Sequence, residues 1–233
     1  MSFSEKDYAD ILAKISLNTD EKYKKFNESL NPNINKAYGV KTPIMRKISR
    51  EIIDKGAAED FLAICKDSSF EEISLQGFVI AGMETDIETR LRYITNFLHK
   101  IDNWGICDSF CATFNLNEED LQKMWEYLQP LFFDEREFYV RFAIVMLIGN
   151  YITEEYIDED LKILKAVKHK EYYVQMAVAW AISICFVRFR DKTFKLIRYK
   201  QLVSFIQNKS IQKIRESHRI SKADKTMLVK FKM

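Results

Sequence analysis

The sequence predicts an all-α protein, built as one elongated α-solenoid of stacked helical repeats. Three observations indicate this class. Apolar residues recur with helical period along nearly the whole chain, and no segment keeps the alternation typical of a strand. Only 6 Gly and 3 Pro occur in 233 residues, too few for the turns of an all-β protein. Two apolar segments, 139–144 and 173–178, align at an offset of 34 residues, which is typical of helical repeats.

The N-terminal helices are predicted from apolar stripes and from their end signals. Ser4–Leu17 carries an apolar stripe, and Asp20–Leu30 is a short lysine-rich helix that ends before Asn31-Pro32-Asn33. A Thr-Pro pair at 42–43 predicts a helix start, with the Thr42 hydroxyl as N-cap and proline at the first helical position. Gly56 is expected just after the end of that helix.

The rest of the chain is predicted to be helical in the same way. The segments 58–66 and 70–83 are expected to form an antiparallel pair, and Asn117 is expected to be an N-cap before three acidic residues. Segments 135–151 and 172–189 are almost wholly apolar and are predicted to be buried. The predicted helices from residue 58 onward are 58–66, 70–83, 86–99, 104–114, 117–131, 135–151, 153–168, 172–189, 194–207 and 210–231.

Composition and termini restrict the class of protein further. Hydrophobic residues make up 47% of the chain and aromatic residues 13%, which is enough for a folded core. The first residues lack the apolar segment of a signal peptide, and no uncharged apolar run reaches about 18 residues. We therefore expect a cytoplasmic protein without membrane contact, folded as one domain over residues 1–233 and monomeric.

The cysteine and histidine positions argue against a metal site. Cys65, Cys107, Cys111 and Cys185 include no Cys-x-x-Cys pair, and the three histidines are scattered along the chain. Cys107 and Cys111 could share a helical face, but two ligands without nearby partners make a poor metal site. We expect buried free thiols and no metal or other cofactor.

The charge of the chain is strongly polarised. Residues 188–233 hold fourteen Lys and Arg against three acidic residues, a net charge of +11, while residues 1–187 carry −9. Such a segment is either a solvated helical face or the electrostatic footprint of a polyanion. The density of positive charge favours nucleic acid as the partner.

Asp108 is the only charged residue between Trp104 and Phe114, a segment that is otherwise small, apolar or hydroxylic. In a helix, Trp104 and Asp108 share a face and lie about 6 Å apart along the axis. An acid in apolar surroundings needs a cationic or hydrogen-bonding partner. Asp108 is therefore either structural, capping a helix or pairing with an arginine, or part of an active site.

Arg141 and Trp180 also stand out from apolar surroundings. Arg141 is the only ionised residue between Phe138 and Tyr151, so its guanidinium must meet a carboxylate, carbonyls or a phosphate. It either pins two helices through Asp108 or Glu137, or forks onto a backbone phosphate. The alanines around Trp180 leave space beside its ring, so it is either a core residue or, with Trp104, the wall of a cleft.

Trp104, Asp108, Arg141 and Trp180, in this order and at these spacings, resemble the AlkD-like family of bacterial DNA alkylation repair proteins. The resemblance covers about residues 5 to 230. Further matching positions are Gly39-Val40-Lys41-Thr42-Pro43 followed by Arg46, the Trp-x-x-x-Asp pattern at 104–108, and Arg215-Glu216-Ser217.

The resemblance implies an all-helical solenoid of HEAT-like repeats whose concave basic face grips duplex DNA carrying alkylated bases. It implies a DNA N-glycosylase that excises cationic alkylpurines such as 3-methyladenine and 7-methylguanine without flipping the base. Trp104 and Trp180 would then hold the deoxyribose, and Asp108 would stabilise the oxocarbenium-like sugar and position water. The implied DNA-binding residues are Arg141, Lys41, Thr42, Arg46, Arg188, Arg190, Arg215 and Arg219.

The sequence departs from the family at one position. Related enzymes often carry an arginine three residues after the second tryptophan, where this chain has Ser183, and the next basic residues are Arg188 and Arg190. Two alternatives to the glycosylase therefore stay open. They are a non-catalytic binder of distorted or branched DNA and a protein-interaction solenoid.

Overall fold

The computed structural model of the chain describes residues 3–31, 34 and 36–233. Within these ranges every regular element is helical, so the predicted all-α class, with its helical repeats, is confirmed. No helix of the described part is both long and apolar enough to cross a membrane.

The chain folds into two compact units, residues 1–124 and 125–233. Each is described by itself, and the single domain over 1–233 stays a prediction. The helices before the division are α1 (Glu5–Leu17), α2 (Glu21–Leu30), α3 (Thr42–Asp54), α4 (Ala58–Ile64), α5 (Phe70–Gly82), α6 (Ile87–Leu98) and α7 (Trp104–Cys111); α8 (Glu118–Leu131) contains it. Those after it are α9 (Glu137–Asn150), α10 (Ile157–Ala166), α11 (Tyr172–Arg188), α12 (Arg190–Arg198), α13 (Ser204–Glu216), α14 (Lys222–Leu228) and a final 3₁₀ turn, Val229–Phe231.

The first unit arranges its helices in two rows. One row is α3, α5 and α7, in which each helix packs against the next, and α4 and α6 pack against α5 from the other row. The core between them is formed by large apolar side chains that are almost fully buried, which include Met45, Ile48, Phe61, Leu75, Phe78 and Val79. The site residues of this unit lie on α7 and at the start of α3.

The second unit repeats this arrangement. Here α9, α11 and α13 form one row, while α10 and α12 pack against α11 and against each other. Helices α9 and α11 are apolar on nearly all sides because neighbours cover most of their surface. This confirms the burial predicted for segments 135–151 and 172–189.

Contacts between residues one repeat apart support the period found in the sequence. In the second unit, three side-chain contacts each join residues separated by 34 positions, as stacked repeats in register require. The pairs are Glu135 with His169, Asp158 with Lys192, and Arg190 with Asp224.

Several of the predicted helix ends are confirmed, although α10 begins at Ile157 and not at residue 153, and α7 ends at Cys111 and not at residue 114. Ser4 forms a capping box with Asp7, and Asp20, Asp86 and Asn117 accept backbone N–H groups of the first turn that follows each of them. Gly56 has φ +65° and follows Lys55, the C-cap of α3. The hydrogen bonds from its N–H to Ile53 and from the next N–H to Ile52 form a Schellman motif.

The predicted N-cap at Thr42 is wrong by one residue. Thr42 is already the first helical residue of α3, its N-cap is Lys41, and no side chain caps the helix there. Pro43 is therefore the second helical residue, where its missing N–H still costs no helical hydrogen bond.

The predicted helices 194–207 and 210–231 are also wrong in their boundaries. The chain turns at Tyr199–Val203 and again at Ser217–Ser221, so the segment forms α12, α13 and α14. The second turn had a signal in the sequence, because Ser221 caps α14 by accepting the Asp224 N–H at 3.0 Å. The first turn had none, since Lys200 occupies the position where glycine is usual.

Candidate active site and nucleic-acid interface

Helix α7 carries the candidate catalytic pair. It starts at Asn103, whose side chain accepts the Ile106 N–H at 3.0 Å. Ile106, Cys107, Phe110 and Cys111 are buried against the first unit, which leaves the other face of the helix partly exposed. Trp104 and Asp108 both lie on this second face, one turn apart and half-buried. Asp108 is therefore not sealed inside the core.

The cysteines of the described chain are all free. Cys107, Cys111 and Cys185 are buried, as predicted, whereas Cys65 is half-buried. No group of three His, Cys, Asp or Glu side chains in the described residues could hold a metal ion. Burial raises the pKa of the Cys65 thiol to about 11, so it is an unreactive thiol at neutral pH.

The indole of Trp104 is anchored by the end of α2. Its Nε1–H donates to the carbonyl oxygen of Leu30 at 2.9 Å. The backbone N–H of Gly105 donates to the Oδ1 of Asn31 at 3.3 Å. Nothing in the sequence indicated this contact, since Asn31-Pro32-Asn33 predicts only the end of a helix.

Arg46 connects α3 to the helix that carries the candidate pair. Its Nη2 donates to the carbonyl of Ser109 at 3.4 Å, and its guanidinium lies over the Phe78 ring at 5.5 Å. The Arg46 Nε is buried and has no hydrogen-bond partner among the described residues. Arg46 thus brings a positive charge beside the carbonyl of Ser109, the residue that follows Asp108.

The loop before α3 is shaped by a buried carboxylate. Glu71 is 1% exposed and accepts the N–H groups of Tyr38, Gly39 and Val40 at 2.9, 2.8 and 3.1 Å. Gly39 has φ +83°, and a Cβ there would lie 2.6 Å from the Cβ of Lys24, so glycine is required. This internal anchor fixes the start of α3, and nothing in the sequence indicated it.

Lys41 and Thr42 follow this loop directly. The Lys41 ammonium pairs with the Asp20 carboxylate at 2.9 Å, and the pair is largely exposed. The N–H of Tyr23 and then the Lys41 side chain lower the pKa of Asp20. Lys41 therefore joins the beginnings of α2 and α3, and a phosphate would have to compete with Asp20 for its charge.

Arg141 lies on α9 and is only 6% exposed. Its Nη1 donates to the carbonyl of Tyr173 at 2.8 Å, and the N–H of Tyr173 donates to Glu137 at 2.8 Å. Two charged side chains of α9 therefore hold the backbone of one residue, Tyr173, in the first turn of α11. Arg141 thus joins α9 to α11 through a backbone carbonyl.

Trp180 lies near the middle of α11 and is half-buried. Its neighbours Ala177, Ala179 and Ala181 are fully buried, whereas Trp180 itself is partly exposed. Ser183 is 6% exposed and donates its hydroxyl to the carbonyl of Trp180 at 2.7 Å. The position of the expected family arginine thus holds a small buried side chain.

The predicted DNA-binding arginines of the basic segment differ in how far they are engaged. Arg188 donates to the carbonyl of Ile152 at 2.9 Å. Arg190 pairs with Asp224, its Nε lying 3.1 Å from each carboxylate oxygen, and it lowers the pKa of that carboxyl. Arg215 on α13 and Arg219 after it are exposed.

Fold and site together define a class: an all-α protein of helical repeats with a half-buried acid and tryptophan on one helix face. The chain belongs to the DNA alkylation repair enzyme family, whose model matches residues 11–200. This membership supports a role in the repair of alkylated DNA. Searches of curated proteins and of solved structures return no match.

Proposed function

We propose that the chain is a DNA N-glycosylase that excises cationic alkylpurines, such as 3-methyladenine and 7-methylguanine, from duplex DNA without base flipping. The observation that carries the proposal is the pair on α7. In a chain of this family, Asp108 and Trp104 lie half-buried on one face of an otherwise apolar helix. A carboxylate beside an aromatic ring suits the stabilisation of a developing positive charge.

The proposed reaction needs only one carboxylate. An N-alkylated purine already carries a positive charge, so when the bond from C1′ to the base nitrogen breaks, the electron pair neutralises the leaving base. No general acid is required, in contrast to ordinary glycoside hydrolysis. The positive charge passes to the sugar as an oxocarbenium-like species, which Asp108 stabilises. Water then adds to C1′ and loses a proton, for which Asp108 is the acceptor.

The other residues are assigned to binding. Trp104 and Trp180 are the residues proposed to hold the deoxyribose of the damaged nucleotide. Arg46, Lys41 and Thr42 are proposed to contact the DNA backbone from the first unit. From the second unit the proposed contacts are Arg141, Arg188, Arg190, Arg215 and Arg219. Arg141 is assigned to a backbone phosphate in addition to the Tyr173 carbonyl to which it donates.

The experiment is single-turnover release of 7-methylguanine from methylated duplex DNA with enzyme in excess, measured by mass spectrometry. We expect release by the wild-type chain and a loss of at least about 100-fold in Asp108→Asn, since a preorganised charge at the transition state is worth that much. The dissociation constant for the same duplex should change by less than about 3-fold. Binding is measured separately, by fluorescence anisotropy.

Asp10→Asn is the matched control, because Asp10 is an exposed acid on a helix of the same unit. It should leave both release and binding at the wild-type level. Absence of release by wild-type enzyme would reject the glycosylase. Equal loss of release in both variants would reject the role of Asp108.

A non-catalytic binder of distorted or branched DNA is the second candidate. The specific observation in its favour is Ser183, a buried hydroxyl where related enzymes often carry an arginine of the phosphate clamp. This candidate predicts tight, salt-dependent binding to bent or branched duplexes with no base release in the same assay.

A further inference from the structure

The last residues of α2 and the residue after it are docked on the first turn of α7. Two hydrogen bonds make this contact, from the Trp104 Nε1–H to the Leu30 carbonyl at 2.9 Å and from the Gly105 N–H to Asn31 Oδ1 at 3.3 Å. They join segments 74 residues apart in the sequence. The first turn of a helix has backbone N–H groups without partners in the helix itself. Asn31 accepts one of these groups, the Gly105 N–H.

Asn31 is held rigidly enough to act as an anchor. It is 2% exposed, and its Nδ2 donates to the carbonyl and the Oδ1 of Asn27 at 3.2 and 3.1 Å. These bonds fix which end of the amide faces α7, since only the oxygen can accept the Gly105 N–H. The approach is close, because a Cβ on Gly105 would lie 3.2 Å from Asn103 Oδ1 and 3.3 Å from Asn31 Nδ2.

This contact determines what Trp104 can offer to a ligand. An indole has one hydrogen-bond donor, and in Trp104 the Leu30 carbonyl occupies it. The ring can therefore meet a nucleotide only with its faces and C–H edges. A ring held in this way is suited to contact with a positively charged sugar and unsuited to hydrogen bonding with a base.

We propose that Asn31 is a positioning residue, which locks the end of α2 onto α7 and thereby holds the Trp104 ring in place for the reaction. The inference rests on the proposed function, in which Trp104 contacts the deoxyribose. Asn31 itself is not assigned any contact with DNA. Its role is to keep the indole in one orientation, since small displacements of positioned groups lower rates strongly.

The first readout is hydrogen exchange of the Trp104 indole N–H by NMR, with its signal assigned by its absence in Trp104→Phe. We expect slow exchange in the wild type and exchange at least about 10-fold faster in Asn31→Ala, because the anchored indole opens more often. The second readout is single-turnover base release, expected to fall about 10- to 100-fold, with duplex affinity changed by less than about 3-fold.

Asn150→Ala is the matched control. Asn150 ends α9 as Asn31 follows α2, and its Nδ2 donates to the carbonyl four residues earlier at 3.0 Å. Removing it should leave the exchange of the Trp104 N–H and the base release at the wild-type level.

Gly105→Ala tests the same contact from α7 in a background that keeps Asn31. Alanine favours the helix, yet its Cβ must displace the Asn31 amide or the Asn103 cap. It should accelerate indole exchange as Asn31→Ala does, and the double variant should add little. Unchanged exchange in Asn31→Ala and in Gly105→Ala would overturn the proposal. Changed exchange without any base release by the wild type would instead reject the proposed function alone.

Discussion

At the scale of single residues, the carboxyl groups of Asp108 and Asp160 differ in how deeply they are buried. Asp108 is half-buried on a helix face that the core leaves partly open. Asp160 on α10 is 0% exposed, and neither of its carboxylate oxygens has a hydrogen-bond partner in the described chain. Burial, with a smaller effect of the neighbouring Glu159 charge, raises the pKa of Asp160 to about 8. Asp160 is thus a carboxyl that the fold holds protonated at neutral pH.

This environment predicts how stability depends on pH. The native state keeps the Asp160 proton up to about pH 8, whereas the unfolded chain releases it near pH 4. The stability contributed by the raised pKa is therefore fully present below about pH 4 and is lost as the pH rises to about 8. Asp160→Asn should remove this loss, so its gain over wild type in thermal unfolding should be larger at pH 8.5 than at pH 5, by at least about 1 kcal/mol.

Glu119→Gln is the control for the pH comparison, since Glu119 is an exposed acid on another helix, α8. Its effect on the melting temperature should be small at both pH values. A gain in Asp160→Asn that is the same at pH 5 and pH 8.5 would contradict the buried neutral carboxyl.

The sequence distinguished these two acids only in part. Asp108 stands alone among apolar and small residues, so its unusual environment was readable. Asp160 belongs to the acidic run Asp158-Glu159-Asp160, which looks like a solvated helix start, and only the packing of α10 shows that its third acid faces inward. The environment of Arg141 could be predicted only in part. The sequence showed that its guanidinium needs a partner, but it did not indicate the Tyr173 carbonyl, 32 residues away.

At the scale of elements, the end of α12 shows why some boundaries were predicted and others were not. Lys200 has φ +51°, the left-handed conformation that glycine adopts most easily. Its N–H donates to Ile197 at 3.1 Å, and the N–H of Gln201 donates to Leu196 at 3.2 Å, which completes a Schellman motif. The same motif after α3 uses Gly56 and was predicted. Without a glycine, the helix end left no signal in the sequence.

Lys200→Gly should therefore stabilise the protein by about 0.5–1 kcal/mol, because it relieves the strain of a side chain in the left-handed region. The gain is partly offset by the greater freedom of glycine in the unfolded chain. Chemical denaturation measures it as a shift of the midpoint at constant slope. Lys195→Gly, at an exposed position inside α12, is the matched control and should destabilise by about 1 kcal/mol. A destabilised Lys200→Gly would contradict the strained helix end.

At the scale of the whole molecule, positive charge is concentrated in the last part of the chain. The net charge of +11 in residues 188–233 was read from the sequence as a polyanion footprint. The structure separates the cations of this segment into two kinds. Arg190 and Lys192 are paired with Asp224 and Asp158, whereas Arg215 and Arg219 are exposed and belong to no ion pair of the described residues. The composition gave the total charge, but ion pairing across repeats decides which of these cations is available to a phosphate.

The salt dependence of DNA binding tests this distinction. Each phosphate neutralised by a protein cation contributes about 0.9 to the slope of log K against log salt concentration. The double variant Arg215→Ala with Arg219→Ala removes two such contacts and should therefore reduce the magnitude of the slope by about 1.8. The slope is measured by fluorescence anisotropy on unmodified duplex DNA, between about 50 and 200 mM salt. Arg92→Ala with Lys162→Ala removes the same charge from exposed positions outside the segment and should leave the slope unchanged. Because both double variants carry the same net charge, a smaller slope in the first alone would locate the phosphates at residues 215–219. If the two double variants have equal slopes, residues 215–219 form a solvated face and not a phosphate-binding surface.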